Sequence, residues 1–572
     1  MGMISVKALE SVYLDHPFKT RNADEFDLEN ILDLFVDPTN GLIGPFDFTD
    51  SIIKGKMGSG KTMYLRANYA YHLYTLVPCL NEGSQIILPV YIKMSDFQNI
   101  RKPEEIYDAV IIKLLKEIVD VMQHLRSAEE LSRLHMGAST IVESWSTNED
   151  LNEIVEVLKR LTAEQYVETV NKCLDESGTI TWKFASLFKK YSKEVKTQIQ
   201  QKTKPSFEMI INACNKLLNP FDGKLLILFD EMGSVSSSFF CKTEDSDSYF
   251  ETLMNQLRTL SNVRTKLAVY PNSASDILRE TRYGDVVSLE RDIVNHPEQF
   301  DTLAITIASL VERYINKGRK QKIAPEDLFD ISPKNQRIYE HLINASSGNM
   351  RRIVHLLDLS MNESFKRGNG QDRVTINDIL NALKNQGSEM IDLYQPDEID
   401  YIRALTKLCK NRSTYRFSYP NKTPSKYTNR SEEYNIINVL HSDAGRNRNT
   451  YYFDYAYCVY QDLPTHYLKN SGRIDKSRSR ITGEPIRRIA HLSDELISRS
   501  NLSSKLEGRI NYIGQPSENG FIKGNDGKDY FFNVDNIVKG DRDKELCPGN
   551  KVRFIPSTLM GMGLMAVEIE IL

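Results

Sequence analysis

Long apolar runs are missing from this chain. No stretch reaches the ~18 residues that a bilayer-spanning helix needs, which excludes that class of membrane protein. The opening residues, Met1-Gly2-Met3-Ile4-Ser5-Val6-Lys7, lack the apolar core of a secretion signal. Val6 stands where an N-myristoylation site needs Ser or Thr. Cysteine is sparse: seven residues (79, 173, 214, 241, 409, 458, 547) are scattered without a Cys-x-x-Cys pair. That spacing argues against a zinc site or a disulfide framework and fits reduced thiols in a cytoplasmic protein. There is no repeat at a fixed period, and no nuclease or protease constellation stands out.

What is present reads as ordinary globular material: 40% apolar and 26% charged residues. A chain of 572 residues exceeds what one hydrophobic core organises, so three or four domains are expected. Net charge is only -4, but it is unevenly placed. Residues 401–500 hold 18 Lys/Arg against 9 Asp/Glu, making that segment +9 and the remainder -13. A basic stretch on an acidic protein points to a polyanion partner or to a solvated basic surface.

Up to about residue 390 the pattern is α/β with helical additions. Ser51–Lys54 reads as a strand, Met63–Tyr74 as a helix and Gln85–Met94 as a strand. Leu225–Phe229 is an unbroken apolar run, the mark of a parallel strand buried on both faces. Lys266–Tyr270 and Val286–Leu289 are further strand candidates. Between Lys61 and Asp230 lie 168 residues, and 100–218 show helical spacing, so a helical insertion is expected there.

Gly55-Lys56-Met57-Gly58-Ser59-Gly60-Lys61-Thr62 has the form G-x-x-x-x-G-K-[ST]. Its glycines let successive N–H groups curl around a phosphate chain, and the following helix adds its positive end. Lys61 would reach the β- and γ-phosphates of ATP, and the Thr62 hydroxyl would ligate Mg²⁺. Asp230, at the end of the apolar strand, is placed to hold the same metal through water, and Glu231 to polarise the attacking water. Asn272 follows a strand, where an amide can orient that water, and Arg351 opens a helix in Ser-Gly-Asn-Met-Arg-Arg.

Taken in order, the glycine loop, LLILFDE, Asn272 and SGNMRR resemble AAA+ P-loop ATPases of the origin-recognition (ORC/CDC-type) and STAND-related clade. The lead-in from Arg21 to Pro38 is similar to that of bacterial members. The resemblance implies a RecA-like parallel-sheet domain over 1–299 with its insertion, a helical lid over 300–390, and ATP at their junction. It also implies a homo-oligomer with an arginine finger supplied in trans: Arg282, with Arg279 the second choice.

Two C-terminal modules are expected. Residues 397–468 resemble a winged helix, with helices at Glu398–Lys410 and Ser431–Leu440, and a strand at Tyr451–Tyr460. Arg446 and Arg448 would form its wing tip at the phosphates of a duplex. A linker covers 469–505, and 506–572 resemble a five-stranded cold-shock (OB-fold) barrel. There Tyr512, Phe521 and Phe531 fall on base-stacking positions, with the cations Arg509 and Lys523 nearby. Asn519, Asn533 and Val534 depart from the family pattern.

The functional expectation is an ATP-dependent ATPase acting on nucleic acid, single-stranded or duplex. Two rivals stay open at this point. One is a STAND-type switch in bacterial antiphage defence, controlling a separate effector protein. The other makes the C-terminal half a protein-docking module.

Overall fold

The computed structural model describes residues 6–38, 44–114, 223–241, 247–270, 283–289, 299–319, 322–331, 338–411, 414–419, 435–441, 449–463, 506–514, 519–534, 537–539, 546–559 and 563–572, with single positions 117, 207, 291, 293 and 481 and the pair 490–491. Two units divide the chain: an α/β unit (Thr20–Glu290 with Asn316–Lys320) and a C-terminal unit (Met1–Lys19, Arg291–Ile315 and Gln321–Leu572).

The α/β unit is built on five parallel strands: β1 (Ser51–Lys54), β2 (Ile87–Lys93), β3 (Lys224–Asp230), β4 (Val263–Val269) and β5 (Asp285–Ser288). Their order is β2-β3-β4-β1-β5. Leu225 to Asp230 are all buried, as an unbroken apolar strand inside a parallel sheet requires. Helix α3 (Lys61–Tyr74) buries Tyr64, Leu65, Ala67 and Ala70. It also buries Asn68, which accepts a hydrogen bond from Lys266 of β4 at 2.7 Å. Helices α2 (Leu28–Leu34), α4 (Leu76–Glu82) and α5 (Tyr249–Arg258) belong to the same unit. Ser248 and Glu251 close a reciprocal cap at the start of α5. Of the insertion expected over 100–218, residues 103–114 are helical; beyond 114, all but 117 and 207 lie outside the described residues.

The C-terminal unit begins with the chain's first helix, α1 (Val6–Asp15), which the sequence grouped with the P-loop segment. The Tyr13 hydroxyl shares a hydrogen bond with Ser364 Oγ at 2.9 Å and donates to the Asp372 carbonyl at 2.7 Å. The helices expected after residue 300 are present: α6 (Gln299–Ile315), α7 (Pro325–Leu328), α8 (Ile338–Ser346), α9 (Met350–Gly368) and α10 (Ile376–Asp392).

Next come α11 (Pro396–Asn411), β6 (Arg416–Tyr419), β7 (Ile437–His441), β8 (Asn449–Phe453), α12 (Tyr455–Tyr460) and the two-residue β9 (Ala490–His491). Here the structure corrects the sequence. The helix expected over Ser431–Leu440 is a strand from Ile437 onward, antiparallel to β8. The strand expected over Tyr451–Tyr460 ends at Phe453, because Asp454 accepts a hydrogen bond from the Ala456 N–H at 2.9 Å and caps α12.

Helix α12 is locked to the helices before it. A Cβ added to Gly387 of α10 would lie 2.5 Å from the Ala456 carbonyl and 2.7 Å from Tyr460 Cβ. The buried Arg352 of α9 grips Asp454 with two hydrogen bonds, at 2.7 and 2.8 Å. His341 of α8 meets the Tyr455 hydroxyl at 2.6 Å.

The last residues form a largely antiparallel sheet of β10 (Leu506–Ile513), β11 (Asn519–Gly524), β12 (Asp529–Asn533), β13 (Ile537–Lys539), β14 (Lys551–Leu559) and β15 (Gly563–Ile571), in the order β12-β11-β10-β14-β15-β13, with β13 parallel to β15. It curls until β12 also pairs with β15, at Phe531 and Met565. The five expected strands are there, and β13 is a sixth. Ile510, Ile522, Tyr530, Phe532, Val552 and Phe554 fill the concave side.

Candidate nucleotide site

The glycine loop leaves β1 and enters α3 directly. The Gly55 N–H donates to the Val269 carbonyl at 3.2 Å, extending the β1–β4 pairing into the loop, and the Ser59 N–H closes a turn onto the Lys56 carbonyl at 3.2 Å. Gly58 (φ 79°) and Gly60 (φ 99°) take left-handed conformations that a Cβ would strain. Gly55 is required for a different reason: a Cβ there would collide with Ser59 Oγ.

The buried Lys61 ammonium donates to the carbonyls of Gly55 (2.6 Å) and Lys56 (2.9 Å) and lies 4.0 Å from the Tyr270 ring centroid. Ser59 Oγ is buried without a hydrogen-bond partner. These features fit a polyphosphate: an enclosed cation, an unsatisfied hydroxyl, and a loop turned by two glycines at positive φ, all at the start of a 14-residue helix.

The acidic pair stands at the end of β3, separated from β1 by β4 alone. Tyr270, just past β4, spans the gap: Lys61 sits over its ring, and a Cβ on Gly233 would meet the same ring at 3.0 Å. Asp230 is 1% exposed. Its Oδ1 accepts from the Glu231 N–H at 2.8 Å and its Oδ2 from the Tyr91 hydroxyl of β2 at 2.6 Å. Burial, and then the Asp230 charge, push the Tyr91 phenol far above its ordinary range, so it stays a donor at physiological pH.

Glu231 holds a left-handed backbone (φ 54°, ψ 40°), a strain on the order of 1 kcal/mol for a residue with a side chain. Its carboxylate is 3.8 Å from Lys93 at the end of β2. Lys93 also bonds Asp24 at 2.9 Å. Partial burial pulls against the Lys93 charge, but Asp24, with Glu231 and Asp230, holds its pKa above the usual lysine value.

Residues 16–239 match the ORC-CDC6-like family model. With the loop geometry, this match supports a P-loop ATPase of the AAA+ type, which binds a nucleotide, usually with Mg²⁺. The matched segment takes in the glycine loop, Asp230 and Glu231, together with Arg66 of α3. Arg66 donates to the carbonyls of Ala23 and Phe26, pinning the lead-in to the helix that follows the loop. No curated protein matches the chain. Among the described residues, no helix is long and apolar enough to cross a membrane.

Beyond that segment the expected residues scatter. Asn272, Arg279, Arg282, Arg446 and Arg448 lie outside the described residues. Arg351 is the second residue of α9, in the C-terminal unit. Asn349 caps that helix by accepting from the Arg352 N–H at 3.0 Å.

On the curled sheet, the outer face carries the expected aromatics in cross-strand register: Tyr512 opposite Phe521, and Phe521 opposite Phe531. Tyr512 is 57% and Phe521 42% exposed, and Phe521 meets the Phe531 ring edge-on at 5.7 Å. Arg509 sits opposite Lys523 on one side and Lys551 on the other. Lys523 is paired with Asp529 at 3.2 Å, and Arg509 donates to the Gly549 carbonyl at 3.1 Å.

Sequence reading missed Tyr91, Lys93 and Tyr270. Each acts through the order of strands, which spacing along the chain does not reveal.

Proposed function

We propose that the chain is an ATP-dependent, nucleic-acid-binding AAA+ ATPase that couples nucleotide binding and hydrolysis to assembly or remodelling on DNA or RNA. The observation that carries this reading is the common sheet end shared by the glycine loop and Asp230-Glu231, with Tyr270 between them.

In this reading main-chain groups of Gly55 to Lys61 cradle the phosphates, and Lys61 exchanges its two carbonyl partners for phosphate oxygens. Thr62 and Asp230 would hold Mg²⁺, which when bound neutralises charge on the phosphates. Glu231 orients and polarises the water, aided by Asn272, which follows β4 in the sequence. Arg351 contacts the nucleotide from the lid, and Arg282 does so from a neighbouring copy in a homo-oligomer.

The curled sheet is read as a cold-shock-type OB barrel that stacks bases on Tyr512, Phe521 and Phe531, with Arg509 and Lys523 at the backbone. In place of a full winged helix, the β7–β8 hairpin carries Arg446 and Arg448 in its connection, where they meet phosphates.

ATP turnover measured with single-stranded DNA, duplex DNA and RNA tests this. Stimulation by one of them is expected. Lys61→Ala should lose nucleotide binding, whereas Glu231→Gln should keep ATP while hydrolysis falls by about 10²-fold or more. Protein that ignores ATP with Mg²⁺ overturns the reading. Slow turnover unmoved by nucleic acid favours the regulatory switch instead.

A further inference from the structure

We propose that Tyr91 is a positioning residue for the metal carboxylate, and that its hydroxyl sets how tightly the site takes Mg²⁺ with nucleotide. The proposal rests on the reading of Asp230 as a metal carboxylate.

A buried carboxylate can rotate about its Cβ–Cγ bond unless something fixes it. Asp230 is held at both oxygens: the Glu231 N–H at Oδ1 (2.8 Å) and the Tyr91 hydroxyl at Oδ2 (2.6 Å). The second is a short, charge-assisted O–H···O⁻ bond. Each oxygen keeps lone pairs for another partner. The parallel register sets Tyr91 opposite Leu228 and Lys93 opposite Asp230, so the tyrosine lies two residues short of the carboxylate on the adjoining strand.

The Tyr91 ring is itself located by α3. Tyr69 meets it edge-on, with centroids 6.2 Å apart and the rings 65° to one another. The helix that supplies Tyr69 begins at Lys61 and Thr62. One chain of contacts therefore links the helix carrying Thr62 to the strand end carrying Asp230, the two proposed metal-holding residues. Outer-shell partners of this kind typically change metal affinity or activity by 10–100-fold when removed. A tyrosine that served stability alone would weaken nucleotide binding equally with and without metal.

The test is Tyr91→Phe in the full chain, which keeps the ring and its contact with Tyr69. Binding of a fluorescent ATP analogue is measured in EDTA and across a Mg²⁺ titration, with hydrolysis playing no part in the signal. Affinity in EDTA should be unchanged, while the Mg²⁺ concentration for half-maximal tightening should rise about tenfold. In an Asp230→Asn background the same change should add nothing. An unaltered Mg²⁺ requirement, or equal weakening in EDTA and in Mg²⁺, overturns the proposal. If wild-type protein binds no tighter with Mg²⁺, or Asp230→Asn leaves the requirement untouched, the metal reading of Asp230 fails and this proposal falls with it. If the analogue does not bind at all, the phosphate-loop reading fails first.

Discussion

Two of the three sheets among the described residues, the parallel one and the curled one, use their surfaces in opposite ways. The parallel sheet of the α/β unit buries β3 along almost its whole length, so its polar chemistry gathers at one end, where the strands run out into loops. The curled antiparallel sheet buries one face and leaves the other outward, alternating residue by residue along β11. Its candidate ligand groups are accordingly spread over a surface. An end site positions a few atoms closely; a face site offers area and charge. Different perturbations should therefore hurt each one.

The largest expected effect lies in the C-terminal unit, at the buried Arg352–Asp454 pair. Asp454→Ala strands a buried guanidinium and removes the cap of α12, and should cost roughly 3–5 kcal/mol. Chemical denaturation should show this loss while ATP-analogue affinity at the glycine loop stays unchanged. A matching loss of nucleotide affinity would erase the distinction drawn between the two units.

Next in size is an acid sensitivity of the α/β unit. His72 of α3 is 3% exposed, and burial, then the nearby Lys266 charge, lower its pKa to about 4. The unfolded chain, titrating near 6.5, binds more protons between those values, so stability falls as pH drops from about 6.5 toward 4. The loss from this group approaches roughly 3 kcal/mol. Denaturation midpoints measured from pH 7 to 4 should fall more steeply for wild type than for His72→Leu. Parallel slopes would refute the assignment.

The smallest effects should come from the outer face. Tyr512→Ala, Phe521→Ala and Phe531→Ala should each weaken oligonucleotide binding by roughly 1–3 kcal/mol, with ATP-analogue affinity unchanged. Fluorescence anisotropy with single-stranded DNA and RNA measures this. Lack of any change at all three would favour a protein-docking face.

Much of the end site was legible because each of its parts is a local signal. Glycines with positive φ, a lysine-threonine helix start and an unbroken apolar strand can each be read without a partner. Tyr91 was not legible, since its value depends on β2 lying beside β3, and 130 residues separate the end of one from the start of the other. The C-terminal unit misled in a different way. Ile437-Asn438-Val439-Leu440 offers apolar residues at spacings that a helix or a strand can use, and pairing with β8 decides for the strand. Tyr455-Ala456-Tyr457-Cys458-Val459-Tyr460 favours a strand by composition, yet the Asp454 cap and close packing on Gly387 make it a helix. Arg351 was singled out within its motif, whereas its neighbour Arg352 makes the buried link to Asp454, a partner 102 residues away.

Helix α1 carries a consequence for synthesis. It leaves the ribosome well before the serine that meets Tyr13, which follows 351 residues later. At about 5–20 residues per second, roughly 20–70 s pass before that partner exists. The nascent helix must spend this interval exposed or chaperoned while the α/β unit grows behind it, so a segment made early finds its place late.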